Sequence, residues 1–289
     1  MNIYNYHIVK LFVDYQKKDT SAFLSDLDTL SDALADLTTT LFDSKIKDTG
    51  DLEAILAKLV LHVKSIVALV KYTELRGKKI FDPGSVFILA RALLENYLMV
   101  DYLFSPRISS ELVTFRFDLY KYAGLKNRQS YYSISDYSKA KKAKEKKEMD
   151  ELYKKIKDSN IYQAFTKREK DNLKLDTDNP SSKTHNWYQL ISGSDLDTEK
   201  FTSVWKWFSN YSHSEYIGLI QIKEIFTKQV QVENVNLVIH LCLMIVASMI
   251  KDLIEYYPSI KIKYNILPSK VHAIVNVQSG VAQGSSKTP

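Results

Sequence analysis

The chain has a single cysteine, Cys242. One thiol cannot form an internal disulfide, which argues against a disulfide-stapled secreted scaffold and fits a reducing cytoplasm. It lies in the apolar run Leu241-Cys242-Leu243-Met244-Ile245, where a cysteine serves as a small buried hydrophobe. Turn formers are also scarce. Only 8 glycines and 6 prolines occur in 289 residues, gathered between apolar-periodic segments, whereas an all-β chain needs frequent turn signals. No glycine-rich phosphate loop is present, which argues against a Rossmann or P-loop enzyme. His7, His62, His185, His240 and His272 show no ligand spacing, and no His-Glu-x-x-His or Cys/His cluster occurs. Neither a metal nor any other cofactor is expected. The start, Met1-Asn2-Ile3-Tyr4-Asn5-Tyr6-His7, lacks the basic and apolar regions of a signal peptide.

With 45% apolar and 26% charged residues, the chain has the composition of a globular protein. Its net charge of +6 is local in origin. Segment 139–157 holds nine lysines against four acids, an excess of five, so the remainder is nearly neutral. The interleaved Glu145, Glu148, Asp150 and Glu151 read as a solvated charged helix. The other reading of this lysine helix is contact with phosphates or an acidic membrane surface.

Apolar periodicity places helices over 21–42, 52–75, 83–104, 108–127 and 233–257. Arg76-Gly77-Lys78 reads as the end of the second, and Asp82-Pro83 as the capped start of the third. Helix 83–104 is apolar nearly all round, which suits the centre of a bundle. The lysine helix extends to 158, a second charged helix covers 160–174, and 176–183 is a loop. A further helix spans 197–217. Between Glu233 and Lys251 lie seventeen uncharged residues, near membrane-spanning length, but Asn236, His240 and Ser248 interrupt them. A buried core helix is the expectation, and a membrane is not an expected partner. The expected fold is all-α, a bundle of about seven to nine helices. A single domain would cover 1–267, with a charged helical hairpin inserted at 128–184, and 268–289 would be a flexible tail.

Two stretches carry most of the chemistry. Arg91 and Glu95 stand four apart, on one face of an apolar helix. Buried charges must be matched and hydrogen-bonded, so the pair is either a structural lock or part of a site. Trp205-Lys206-Trp207-Phe208-Ser209-Asn210-Tyr211-Ser212-His213 is an aromatic run ending in a polar cluster. Ser209, Asn210 and His213 can share a helical face, with His213 as general base or nucleotide ligand and Ser209 or Asn210 orienting it. A serine hydrolase dyad is not expected, because neither an acidic orienter nor a Gly-x-Ser-x-Gly elbow is evident.

Arg91/Glu95 and, about a hundred residues later, Trp205, Ser209 and His213, with Asn186-Trp187 upstream, resemble motifs of a group of bacterial all-helical proteins of unassigned function. The resemblance covers 50–220. That group is distantly similar to HEPN helical domains, which act as metal-independent ribonucleases in bacterial defence and toxin–antitoxin systems. The resemblance implies a cytoplasmic nucleotide- or RNA-binding or RNA-cleaving protein, with Arg91, Glu95, Asn210 and His213 as site residues. It also implies RNA or a nucleotide as ligand, and a second copy or another protein as partner. HEPN nucleases carry Arg-x(4–6)-His, and no arginine precedes His213 at that spacing. Arg91 would have to supply the cation from another helix. The alternative is a non-enzymatic helical interaction module in which the polar motifs are structural.

Overall fold

The computed structural model describes residues 3–17, 19–44, 50–72, 74–75, 77–79, 81–212, 216–224 and 228–284. Among these the protein is all-α. It has fourteen helices, more than the count expected from periodicity, and one pair of two-residue strands. The chain divides into two compact units: residues 1–101 with 191–289, and residues 102–190.

The first unit begins with α1 (Ile3–Lys17), α2 (Thr20–Asp43) and α3 (Gly50–Tyr72). Asp19 caps α2, its carboxylate accepting from the backbone N–H groups of Ser21 and Ala22 at 3.0 and 3.2 Å. The leucine stripe of α2 (Leu27, Leu30, Leu34, Leu37, Leu41) and that of α3 (Leu52, Leu56, Leu59, Val63, Ile66) are fully buried. On their outer side Lys64 reaches both Asp28 and Asp32 at 2.6 Å. The helix expected to run to 75 ends at Tyr72 instead. Glu74–Leu75 (β1) pairs antiparallel with Lys78–Lys79 (β2). Gly77, at φ 76°, supplies the left-handed turn between them, so the glycine read as a helix stop closes a hairpin.

Helix α4 (Pro83–Phe104) starts where Asp82-Pro83 predicts, and the Asp82 carboxylate accepts from the Ser85 backbone at 3.1 Å. It is not enclosed all round. Ile88 is 43% exposed, and Arg91, Ala92, Glu95 and Asn96 are half-buried. The enclosed helix is α12 (Lys228–Tyr256), buried without a break from Leu241 to Ile250 and packed against α2, α13 (Pro258–Asn265) and α14 (Ser269–Gln283). Among the described residues one helical stretch, Val232–Tyr256, is long and apolar enough to cross a membrane, and 78% of its most apolar window is buried inside the protein. That burial is the behaviour of a core helix.

Helix α14 corrects the expectation of a flexible tail from 268. Val271, Ala273, Ile274, Val275 and Ala282 are buried, and the helix packs on α1, α2 and α12. Lys270 reaches the buried Asp26 of α2 at 2.7 Å, and the carbonyl of Ala282 accepts from the Asp197 backbone at 2.8 Å. The helix expected at 197–217 is α10 (Thr198–Ser212). Residues 213–215 lie outside the description, and α11 (Tyr216–Glu224) follows them.

The second unit is built on α5 (Ser110–Gln129) and α6 (Asp136–Asp158), with α7 (Asn160–Ala164), α8 (Lys167–Leu173) and the first residues of α9 (Trp187–Gly193). Phe115, Leu119, Tyr122, Met149, Leu152, Ile156, Tyr162, Leu173 and Leu175 form its core. Lys121–Glu148 at 2.9 Å, Lys155–Asp118 at 2.8 Å and the Arg128–Glu145 pair join α5 to α6. The single charged helix expected over 160–174 is two. Thr166 opens α8 with a capping box: its hydroxyl accepts from the Glu169 backbone N–H at 3.3 Å, and the Glu169 carboxylate accepts from the Thr166 backbone N–H at 2.8 Å.

Candidate functional site

Phe87, Arg91 and Glu95 follow one another at four-residue spacing and so share one face of α4. Trp205, Phe208 and Ser209 stand at the spacing that gives α10 a matching face. The two faces meet in two layers, one aromatic and one polar.

Phe87 is the hub of the aromatic layer. Its ring is stacked on Phe208 (centroids 5.0 Å, interplanar 16°), tilted against Trp207 at 4.7 Å, and edge-on to Tyr211 at 4.7 Å and Phe81 at 6.2 Å. Phe87 and Phe208 are fully buried. Offset-stacked and T-shaped pairs at such separations gain from ring quadrupoles beyond area burial.

The polar layer lies one turn further along α4. Arg91 donates from Nε to Glu95 Oε1 at 2.8 Å, and the Trp205 indole N–H donates to the same oxygen at 3.0 Å. The Arg91 guanidinium carbon is 5.0 Å from the Trp205 ring centroid, within cation–π range. Side-chain exposure is 17% for Arg91 and 25% for Glu95. Glu95 therefore takes two donors at one oxygen, while Arg91 is held by charge along its edge and by the indole at its face. Ser209 turns its hydroxyl back to the Trp205 carbonyl at 2.7 Å, inside its own helix.

Of the four predicted site residues, Arg91 and Glu95 are brought together with Trp205. Asn210 is half-buried, and its side chain forms no hydrogen bond with a described residue. His213 lies outside the described residues.

A second polar junction, which sequence reasoning missed, links α4 to α12. Tyr97 donates to Asp252 Oδ2 at 3.0 Å, and Tyr256 donates to Asp101 Oδ1 at 3.0 Å. Tyr97 and Asp101 are four apart on one helix, and Asp252 and Tyr256 four apart on the other, so the bridges are reciprocal. Burial pushes the Tyr97 phenol well above its ordinary range, and the nearby Asp252, Asp101 and Asp195 carboxylates push it further. The only trace of it in the sequence is the pair of matched four-residue spacings, which gain meaning once the two helices are paired.

Among the described residues, His62 and His240 are packed against neighbouring elements. His62 Nδ1 lies 3.3 Å from Asn96 Nδ2, and burial, with Lys58 nearby, lowers its pKa. His240 stands edge-on to Phe23 at 4.1 Å, and burial lowers its pKa too. The Cys242 thiol is buried and pushed up to about 12, which leaves it protonated and unreactive at neutral pH. In the second unit Tyr102 organises its own network. Arg116 lies 4.1 Å over its ring and donates to its carbonyl at 2.9 Å, while Thr184 bonds its hydroxyl at 2.9 Å and contacts His185 Nδ1 at 2.8 Å. Burial and then Arg116 lower the His185 pKa. Among the described residues no group of three or more His, Cys, Asp or Glu is placed to hold a metal ion.

No protein-family model, curated protein or solved structure matches the chain.

Proposed function

We propose that the protein is a non-enzymatic helical interaction module in which Arg91, Glu95 and Trp205 fasten α10 to α4. One observation carries this reading: Glu95 Oε1 accepts from both Arg91 Nε and Trp205 Nε1, with Arg91 over the indole. A catalytic or phosphate-holding arginine needs unspent charge facing its ligand. Here a carboxylate at 2.8 Å offsets that charge, and Ser209 has turned its hydroxyl into its own helix. The buried thiol and the half-buried His240, its pKa lowered by burial, fit the same picture. A reducing cytoplasmic setting accords with the lone, enclosed cysteine.

A second reading, RNA or nucleotide chemistry at Arg91, Glu95, Asn210 and His213, is favoured by one feature. The terminal nitrogens of Arg91 carry no hydrogen bond to a described residue, which leaves them available to an anion. Incubation of the purified protein with end-labelled RNA separates the two. The module reading expects intact RNA from wild type and from His213→Ala alike. Cleavage by wild type that disappears in His213→Ala, at unchanged thermal stability, establishes the second.

A further inference from the structure

Large apolar side chains stand almost fully exposed on the segment that enters α6. Tyr132 is 91% exposed, Ile134 87%, Tyr137 77% and Tyr131 56%. Such surface is costly to leave in water when it clusters. The segment is nevertheless held in place. Lys142 donates from Nζ to the Gln129 carbonyl at 3.0 Å and also to the Tyr131 carbonyl, and a Ser135–Ser138 capping box fixes the first turn of α6. The tyrosines are thus presented on a hydrogen-bonded base.

The charge beside them is unevenly spread along α6. From Asp136 to Lys147, α6 carries six lysines and two acids; from Glu148 to Asp158 it carries three lysines and four acids. Three of the groups in the first half are already matched: Lys139 pairs with Asp136 at 3.0 Å, and the buried Glu145 pairs with Arg128. Lys141, Lys144, Lys146 and Lys147 are exposed and form no ion pair with a described residue. Lys141, Lys144 and Lys147, three apart, make one oblique row.

We propose that this end of α6 binds single-stranded nucleic acid, with bases stacking on Tyr132 and Tyr137 and phosphates meeting Lys141, Lys144 and Lys147. Exposed aromatic faces beside unmatched ammonium groups are what a flexible polyanion with π-faces requires. A duplex keeps its bases stacked and offers them nothing. A lipid surface fits less well, because three of the four exposed side chains are tyrosines, and Asp136 stands between Ile134 and Tyr137, where it would be drawn into the headgroups. The proposal names the partner class of the non-catalytic module and rests on that reading only for the fate of the bound strand.

The test is fluorescence anisotropy of the full chain with a fluorescein-labelled oligouridylate of about twenty nucleotides, which exceeds common single-site sizes. Between about 50 and 200 mM salt, affinity is expected to fall, and the triple change Lys141→Gln, Lys144→Gln, Lys147→Gln to reduce the salt slope by about 2, near 0.7 per lost phosphate contact. Tyr132→Ala and Tyr137→Ala should each weaken binding roughly 5- to 150-fold, while Tyr→Phe retains it. These exposed variants should keep wild-type circular dichroism. Wild-type affinity in the tyrosine variants overturns the proposal, as does binding to phosphatidylserine vesicles with none to the oligonucleotide. The recovered strand, run on a denaturing gel, keeps the two readings apart. Bound but cleaved RNA defeats the non-catalytic reading alone, and intact unbound RNA defeats this one alone.

Discussion

Glu95→Gln and Trp205→Phe, separately and together, test whether α4 and α10 are held by the shared carboxylate oxygen. Trp205→Phe removes the indole N–H that lies 3.0 Å from Glu95 Oε1, while most of the ring's packing stays. Glu95→Gln keeps the shape but removes the charge that Arg91 meets at 2.8 Å. Side chains 17% and 25% exposed lie between a surface pair, worth about 0.2–1 kcal/mol, and a buried pair, whose breaking costs about 3–5 kcal/mol. A hydrogen bond to a charged acceptor adds about 1.5 kcal/mol or more. Glu95→Gln should therefore cost about 2 kcal/mol and Trp205→Phe about 1.5 kcal/mol, with a coupling near 1 kcal/mol in the double mutant. For a unit of this size, about 2–4 °C of melting temperature accompanies each kcal/mol, so Glu95→Gln should melt about 4–8 °C lower. Urea unfolding followed by tryptophan fluorescence supplies the three free energies. A coupling below about 0.3 kcal/mol, the level of independent sites, refutes the shared-oxygen clamp.

Four further outcomes are expected. Tyr97→Phe leaves the buried Asp252 without its 3.0 Å donor and should cost about 2 kcal/mol in chemical unfolding. Because the folded Tyr97 pKa is raised, its contribution is complete below about pH 10 and lost as pH rises through the folded value; wild type should therefore lose stability above pH 10 more steeply than Tyr97→Phe. His240 has the opposite sign: its folded pKa is lowered, so its contribution holds above about pH 6.5 and fades as pH falls, and His240→Leu should flatten the melting profile between about pH 6.5 and 5. Ile274→Ala in α14 should destabilise by about 2–5 kcal/mol, whereas a flexible tail would leave the unfolding midpoint unchanged.

Much of the fold is legible in the chain because periodicity and caps are local signals. Asp82-Pro83 marks the start of α4, and the seventeen uncharged residues before Lys251 mark a core helix. The failures have physical causes. Helix α14 hides because small and polar residues around Gln278, Ser279 and Gly280 imitate a linker, although Val271, Ile274, Val275 and Gln278 follow helical spacing. The break between α7 and α8 turns on Thr166 and Glu169, a local capping signature overshadowed by the surrounding charge. At the candidate site, Arg91 and Glu95 stand out as charges in an apolar helix. Their third partner, Trp205, lies 110 positions beyond Glu95, and nothing local ties an indole N–H to a particular carboxylate. The Tyr97–Asp252 and Tyr256–Asp101 bridges are harder still, since neither spacing means anything until α4 and α12 are side by side.

Arg91 serves either structure or a ligand, and Arg91→Ala, measured for melting temperature and oligonucleotide affinity in the same preparation, decides between them. The clamp predicts a melting temperature lower by about 4–8 °C, with the affinity for labelled single-stranded RNA unchanged. An unchanged melting temperature with RNA binding or cleavage lost would contradict it.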